Sequence, residues 1–184
     1  MTKTEAELIR EMKGGEPQAF NEFARRYGSR IYDVHCWLCG DATTAEDLAQ
    51  ETVVAVFRGI GKFRGGSSLY TWVYRIARRI AFRHMNRDVH DFVRLDEANE
   101  LEATEQTERQ AEASILRDRI REALQALPRG QRESVVLHCL QGLSHSETAK
   151  ALGRPLGTVK WQIAQGLHGL RESLKQVGGE ADEL

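Results

Sequence analysis

The chain has 184 residues, of which 41% are hydrophobic and 29% are charged, and its formal net charge at pH 7 is −1. This length suits one medium domain or two small ones. No run of 18 apolar residues occurs, and residues 1–13 lack the apolar centre of a signal peptide, so the sequence predicts no membrane-spanning helix. We therefore expect a cytoplasmic protein that is not inserted in a membrane.

The charges are segregated along the chain. Residues 62–87 contain seven basic side chains and no acidic one, whereas residues 88–112 contain nine acidic and two basic side chains. Neighbouring blocks of opposite sign are typical of segments that have different partners. The alternative is a solvated surface on which the charges cancel.

Helical patterns dominate the first half of the chain and predict an all-α fold. A short helix over residues 5–12 ends at a Gly-Gly break, and Pro17 opens the second helix. The segment Thr-Thr-Ala-Glu at residues 43–46 has the pattern of a capping box and predicts a third helix that continues to about Ile60.

The third predicted helix has a polar face. At 100° per residue, Asp47, Glu51 and Val54 lie together opposite the apolar stripe, and Gln50 lies at the edge of this group. An exposed valine beside two acidic residues favours a protein interface.

A glycine- and serine-rich loop over residues 61–68 leads into a fourth helix over residues 69–86. The outward face of this helix is predicted to carry arginines and aromatic residues, namely Arg75, Arg78, Arg79, Tyr74 and Phe82. Basic groups bind phosphates and aromatic faces stack on unpaired bases, so the pattern favours single-stranded nucleic acid. The alternative is a solvated stripe of arginines, with Phe82 covered by another helix.

The second half begins with a predicted flexible linker. Residues 88–112 are acidic and lack apolar periodicity. Helices resume at Ser114, break at Pro128 and continue through Leu140.

Residues 142–168 predict a helix-turn-helix. Ser144 and Glu147 form a second predicted capping box, a turn covers residues 153–157, and a last helix begins at Thr158. This last helix has one apolar and one polar side, as a helix that enters the DNA major groove requires.

The polar side of the last helix suits contacts with duplex DNA. Lys160 can donate to guanine and Gln165 can bind adenine. Thr158 at the helix start and Arg154 in the turn are candidates for phosphate contacts. An ordinary helical hairpin is the alternative.

Two sets of motifs resemble the σ70 family of sigma factors, and most closely its extracytoplasmic-function (ECF) group. AEDLAQE at residues 45–51 and FRGGSSLYTWVYRIARR at residues 63–79 resemble conserved region 2. Four strings resemble region 4, namely LP at 127–128, QRESVVL at 131–137, GLS at 142–144 and GTVK at 157–160. The two sets occur in the order of the family and cover about residues 5–87 and 113–175.

The resemblance implies two helical domains, σ2 over residues 1–87 and σ4 over residues 113–175. An acidic linker over residues 88–112 would join them, and a tail over residues 176–184 would follow. Such a protein would bind core RNA polymerase, recognise the −10 and −35 promoter elements in duplex and melted DNA, and be held inactive by an anti-sigma factor. It would need no cofactor and would catalyse nothing itself.

The resemblance also assigns surfaces to partners. The β′ clamp helices would be bound by Asp47, Gln50, Glu51 and Val54. The −10 element would be bound by Arg64, Ser67, Tyr70, Trp72, Tyr74, Arg75, Arg78, Arg79, Phe82 and Arg83. The −35 element would be bound by Arg154, Thr158, Lys160, Trp161, Gln162 and Gln165. Region 4 would sit on the β flap, and the linker would thread near the active site and the RNA exit path.

Two departures from the family pattern affect these assignments. Arg79 stands where many members have an asparagine, which favours a phosphate contact over base readout. The recognition helix lacks the usual arginines after Thr-Val-Lys, so that Lys160 is the one charged side chain expected to contact DNA from this helix. Fewer phosphate contacts predict weaker and less salt-dependent DNA binding by the isolated C-terminal domain, and a different −35 sequence.

Four side chains are candidates for a zinc site or a redox switch, namely His35, Cys36, Cys39 and Cys139. The favoured alternative treats these cysteines as small buried hydrophobes of helices, without a metal. Two rival functions also stay open. One is a helix-turn-helix repressor that works without polymerase, and the other is a decoy that binds polymerase or an anti-sigma factor but reads DNA poorly.

Overall fold

The computed structural model describes residues 3–88, here the N-terminal unit, and residues 108–179, here the C-terminal unit. All regular elements in these ranges are helical, which confirms the predicted all-α fold. The helices are α1 (Glu5–Gly14), α2 (Pro17–Cys39), α3 (Ala42–Gly59), α4 (Leu69–Asp88), α5 (Glu108–Ala126), α6 (Arg129–Val135), α7 (His145–Leu152) and α8 (Leu156–Gly179). A 3-10 turn over Ile60–Lys62 follows α3, and a π-helical turn over Val136–Leu140 follows α6. Among the described helices, none is long and apolar enough to cross a membrane.

Polar side chains fix several helix starts. Thr4 caps α1 and Ser144 caps α7, each in a reciprocal capping box with the glutamate three residues later, which confirms the prediction at Ser144. The predicted box at residues 43–46 is wrong. The carboxylate of Asp41 accepts the backbone N–H of Thr44, so α3 starts earlier than predicted.

Two other helix starts differ from the prediction. The last helix begins at Leu156, two residues early, because the Val159 N–H bonds to the Pro155 carbonyl at 3.1 Å. Helix α5 begins at Glu108, inside the predicted linker, because its Glu, Arg, Gln and Ala residues are good helix formers. The rest of that linker, residues 89–107, lies outside the described residues, as does the end of the predicted tail.

The N-terminal unit is built on α2, α3 and α4, which pack against one another, while α1 lies against α2. Phe23 of α2, Val56 of α3 and Val73 of α4 are fully buried in their shared core. This packing leaves the polar side of α3 at the surface and directs the loop before α4 outward.

The C-terminal unit packs α6 and α7 against α8 in a helix-turn-helix. Leu152 of α7 and Val159 and Ile163 of α8 are buried, as their spacing predicted. Gly166 permits the close approach of α6 to α8, since a Cβ at this position would lie 2.6 Å from Cγ2 of Val135. The apolar side of α8 is therefore buried within the fold.

The two units pack on each other. Helix α7 contacts α4, and α5 contacts α2. Leu137 and Leu152 belong to the same apolar cluster as Tyr74 of α4. Ile115 and Leu116 of α5 are each 55% exposed. The units meet through α4 with α7 and through α2 with α5 and the π-helical turn.

Candidate polymerase and DNA interfaces

The outer side of α3 forms one exposed surface, here the α3 face, which consists of Asp47, Gln50, Glu51 and Val54. Val54 is 42% exposed although it is apolar, whereas Thr52 and Val56 on the other side of the helix are fully buried. Glu51 also pairs with Arg83 of α4. Two carboxylates around an exposed valine suit a partner with basic groups around an apolar contact.

A buried hydrogen bond holds α3 on α2 beneath this face. The Thr52 hydroxyl donates to the Leu48 carbonyl at 2.8 Å, so it accepts from Nε2 of His35, which lies 2.9 Å away. Burial lowers the pKa of His35 to about 4, and the ring is therefore neutral at pH 7. His35 orients α3 and is not available as a metal ligand through Nε2.

Stability should decrease below neutral pH because of His35. Its pKa is about 4 in the folded chain against 6.5 for an ordinary histidine, so the unfolded chain binds more protons between these values. We expect this residue to lower the free energy of unfolding by about 2 kcal/mol between pH 7 and pH 5. Urea unfolding of the native chain and of His35→Gln at both pH values measures the effect. The same pH dependence in both proteins would contradict it.

The four candidate metal ligands are not assembled into a site. The Cys36 thiol is buried and hydrogen bonds with the Tyr32 hydroxyl, and burial raises the pKa of the thiol. Cys139 is exposed on the π-helical turn of the other unit. In residues 3–88 and 108–179, no group of three or more His, Cys, Asp or Glu side chains could hold a metal ion. The structure favours the interpretation of Cys36 as a buried hydrophobe.

The loop before α4 presents a basic tip. Gly65 has a φ of 76°, in the left-handed region that favours glycine. The Trp72 and Phe63 rings pack with their centroids 5.4 Å apart, and Nζ of Lys13 donates to the Phe63 carbonyl at 2.7 Å. These contacts fix the base of the loop and leave Arg64 exposed at its tip.

The residues predicted for −10 DNA divide by exposure. The exposed ones are Arg64, Arg75, Arg79 and Arg83, and the half-buried ones are Ser67, Trp72 and Arg78. The buried ones are Tyr70, Tyr74 and Phe82. Tyr74 and Phe82 were expected on the outward face of α4, and the structure differs because the C-terminal unit packs over that face.

A buried carboxylate joins α4 to the C-terminal unit. The Glu133 side chain is 0% exposed, and its Oε1 lies 3.1 Å from Nε of Arg78. Within its own unit, Glu133 also pairs with Arg154 at 2.6 Å and with Arg129 at 3.3 Å. The Arg129 guanidinium lies 3.2 Å from the centre of the Phe82 ring. Arg78 and the aromatic ring of Phe82, both in α4, are therefore each in contact with the C-terminal unit.

A second contact between the units centres on Gln141, which follows the π-helical turn. Its side-chain oxygen accepts a hydrogen bond from the Tyr70 hydroxyl at 2.6 Å, and its backbone carbonyl accepts one from Nη2 of Arg30 at 2.7 Å. The Arg30 guanidinium stacks 3.7 Å above the Tyr70 ring. A polar cavity of about 450 Å³ adjoins this contact. This part of the contact is polar, as interfaces between domains that move relative to each other commonly are.

The helix-turn-helix points its polar side into solvent. The turn is made at Gly153, whose φ is 64°. The outward residues of α8, here the α8 face, are Thr158, Lys160, Trp161, Ala164, Gln165 and His168, and all are exposed. The packing of the two units covers Tyr70, Tyr74 and Phe82 of α4 but leaves the α8 face uncovered.

Two residues predicted for the −35 contact are engaged inside the C-terminal unit. The side-chain oxygen of Gln162 accepts the Ser134 hydroxyl at 2.9 Å and Nη1 of Arg154 at 3.2 Å. Arg154 also pairs with Glu133, as described above. These contacts connect α6 to α8 and occupy both side chains.

Sequence reasoning missed the residues that join the units, namely Arg30, Gln141 and Glu133. A buried charge requires a partner, but Glu133 stands among the polar residues that begin the string QRESVVL, so the sequence does not mark it as buried. No signal marks Gln141 either, because its direction depends on the π-helical turn, in which the Gln141 N–H bonds to the Val136 carbonyl at 3.0 Å.

Comparison with known proteins identifies both units. The chain matches the family model of Sigma-70 region 2 over residues 23–89 and that of Sigma-70, region 4 over residues 117–168, which together cover more than half of it. The RNA polymerase sigma-H factor of Pseudomonas aeruginosa is 29% identical, over 95% of this chain and 96% of that protein. The ECF RNA polymerase sigma factor SigW of Bacillus subtilis is 27% identical, over 92% of this chain and 96% of that protein.

A solved structure gives the same result. The sigma factor RpoE from Bartonella quintana, in complex with the anti-sigma factor NepR, is similar over 85% of this chain and 96% of that chain, with a TM-score of 0.68 and 25% identity. The helical units, their order and the two family matches agree with the resemblance in the motifs. The chain therefore belongs to the σ70 family of RNA polymerase sigma factors, within its ECF group.

Proposed function

We propose that this chain is a sigma subunit that directs core RNA polymerase to promoters with particular −10 and −35 elements. The observation that carries the proposal is that one chain combines the α3 face, the basic loop and helix α4, and the exposed α8 face. A DNA-binding regulator that works without polymerase would need only the last of these. The protein acts as an initiation factor in the cytoplasm and catalyses nothing itself.

Core polymerase is bound through both units. The α3 face docks on the clamp helices of the β′ subunit, for which its carboxylates and exposed valine are suited. The C-terminal unit lies on the β flap and presents the α8 face to the −35 duplex. Of the residues assigned to this duplex, the exposed Thr158, Lys160, Trp161 and Gln165 are the ones that contact it.

The −10 element is bound by α4 and the loop before it. The four exposed arginines of this region hold backbone phosphates, and Arg79 is one of them. The glycine-rich loop around Ser67 admits an unstacked base, since glycine permits a close approach of the backbone. Tyr70, Tyr74 and Phe82 become available to melted DNA only where they are uncovered.

Promoter opening requires the two units to separate. Arg78 and Phe82 cannot contact DNA while they contact Glu133 and Arg129. Residues 89–107 join the units, and 19 residues can span about 60 Å when extended, which permits separation. In the polymerase this acidic segment threads through the basic channel that otherwise holds RNA.

An anti-sigma factor keeps the chain inactive. The proposal is supported by the similarity to the Bartonella quintana RpoE, which was solved bound to the anti-sigma factor NepR. A protein that stabilises the contact between α4 and the C-terminal unit would prevent binding of the −10 element.

Transcription from a promoter library tests the proposed function. The full chain is mixed with core polymerase and a library of random promoters, and the transcripts are sequenced. We expect specific start sites that share −10 and −35 sequences. A chain that binds duplex DNA specifically but supports no start site would instead be a polymerase-independent regulator.

A further inference from the structure

We infer that Trp161 is a specificity-determining residue of the −35 contact, which reads the methyl group of a thymine in the major groove. This inference rests on the proposed function and adds the base that the recognition helix selects.

Trp161 contributes little to the folded chain. Its side chain is 59% exposed, the highest value among the exposed large hydrophobic residues of the described part. The other two tryptophans, Trp37 and Trp72, are half-buried and pack against apolar neighbours. The packing of the two units covers the aromatic residues of α4 yet leaves this ring in solvent. A ring that does not stabilise the fold is available for a ligand, and tryptophan is enriched at interfaces.

The ring has space around it on the α8 face. Of its four neighbours one turn away, Gly157, Thr158 and Ala164 are small, and only Gln165 is long. Apart from the adjoining residues and the helix backbone, nothing lies within 4 Å of the point that a Cβ at Gly157 would occupy. Side chains of a helix lean towards its N-terminus, and the N-terminal residues of a recognition helix contact the base edges. Trp161 can therefore reach a base edge without displacing another side chain.

The chemistry of the ring selects the base. An indole offers an apolar surface and one N–H donor, and no acceptor. Among the base edges in the major groove, only thymine presents a methyl group, whereas the others present hydrogen-bonding groups alone. The position beside Trp161 should therefore be a thymine.

Because the α8 face carries little charge, the apolar contact of Trp161 should contribute a larger share of its binding free energy for DNA. Lys160 is the one lysine or arginine of the α8 face, and it lies next to Trp161. Lys160 and Gln165 supply polar contacts on either side of the ring. Because few phosphate contacts are available here, a loss of the methyl contact should be clearly measurable.

Selection by the holoenzyme tests this inference. Core polymerase with the full chain selects duplexes from a library randomised across the −35 element, and each selected thymine is then replaced by uracil, which removes only the methyl group. We expect one thymine position at which uracil lowers the affinity about fourfold, the equivalent of one buried methyl group. Trp161→Ala should lose both the thymine preference and the difference between thymine and uracil.

Two variants serve as controls. Trp161→Phe keeps an aromatic surface and should restore the discrimination. Glu172→Ala alters an exposed residue of the same helix outside the α8 face and should leave the discrimination unchanged. Retention of the same thymine preference by Trp161→Ala would overturn the inference and show that another residue selects the thymine. A native holoenzyme that selects no promoter at all would instead contradict the proposed function.

Discussion

Replacement of Asp47 by arginine is expected to weaken the binding of the chain to core RNA polymerase at least about 100-fold, because like charges placed together across an interface cost several kcal/mol. Asp47 is exposed, so the substitution changes the charge of the α3 face without disturbing the core. The packing that supports this face, including the hydrogen bond of Thr52 with His35, remains in place. Competition between native and variant chains for labelled core polymerase measures the effect.

A charge reversal elsewhere provides the control for Asp47→Arg. Glu122 is an exposed acidic residue of α5, outside the α3 face. Glu122→Arg should leave the affinity for core polymerase within about threefold of the native value. Equal affinities for Asp47→Arg and Glu122→Arg would show that polymerase binds another surface.

Replacement of Glu133 by alanine is expected to lower the free energy of unfolding by about 2–3 kcal/mol, because it removes a buried carboxylate that accepts charged hydrogen bonds from arginines. Glu133 is fully buried and pairs with Arg78, Arg129 and Arg154. Two of these arginines lie in the same unit, so the C-terminal unit itself should lose stability. Urea unfolding of the full chain, followed by circular dichroism, measures the change.

Substitution of Arg78 distinguishes the contact of Glu133 with α4 from its ion pairs within the C-terminal unit. Arg78→Ala removes the ion pair that reaches α4 together with the contact of Arg78 with the Phe82 ring, and Glu133 keeps two arginines. Its cost should be about 1 kcal/mol or less. A similar cost for Arg78→Ala and Glu133→Ala would mean that the arginines of the C-terminal unit do not depend on this carboxylate.

Local patterns predicted the helices well, because caps and periodicity act within one turn of the chain. Ser144 and Glu147 fixed the start of α7, and the spacing of Val159 and Ile163 predicted the buried side of α8. The start of α3 was misplaced because Asp41 competed with Thr43 and Thr44 for the same capping role. Boundary errors of this kind arise where several capping residues adjoin.

Contacts between the units could not be predicted from local patterns. The burial of Tyr74 and Phe82 depends on residues that lie far along the chain, including Arg129 over the Phe82 ring. The outward position of Gln162 on a regular helix is likewise overridden by Ser134 and Arg154. Local patterns therefore predicted which side chains are exposed in each unit by itself. Which of them remain exposed depends on how the two units pack.

The packing has unequal consequences for the two DNA surfaces. The α8 face is exposed while Arg78, Tyr74 and Phe82 of α4 are covered. The proposed −35 surface is therefore accessible in this packing, whereas part of the proposed −10 surface is covered. Binding to polymerase and to duplex DNA can precede the separation that exposes the residues for melted DNA.

Reversible joining of the two units tests most directly whether initiation requires their separation. Arg75 donates to the Lys150 carbonyl across the interface, so cysteines at these two positions can be joined by a short reducible cross-linker in a chain whose native cysteines are replaced. Transcription with core polymerase from a library-selected promoter is measured before and after reduction of the same sample. We predict little transcript from the joined chain and recovery after reduction. Equal transcription before and after reduction would contradict a mechanism in which α4 must be uncovered.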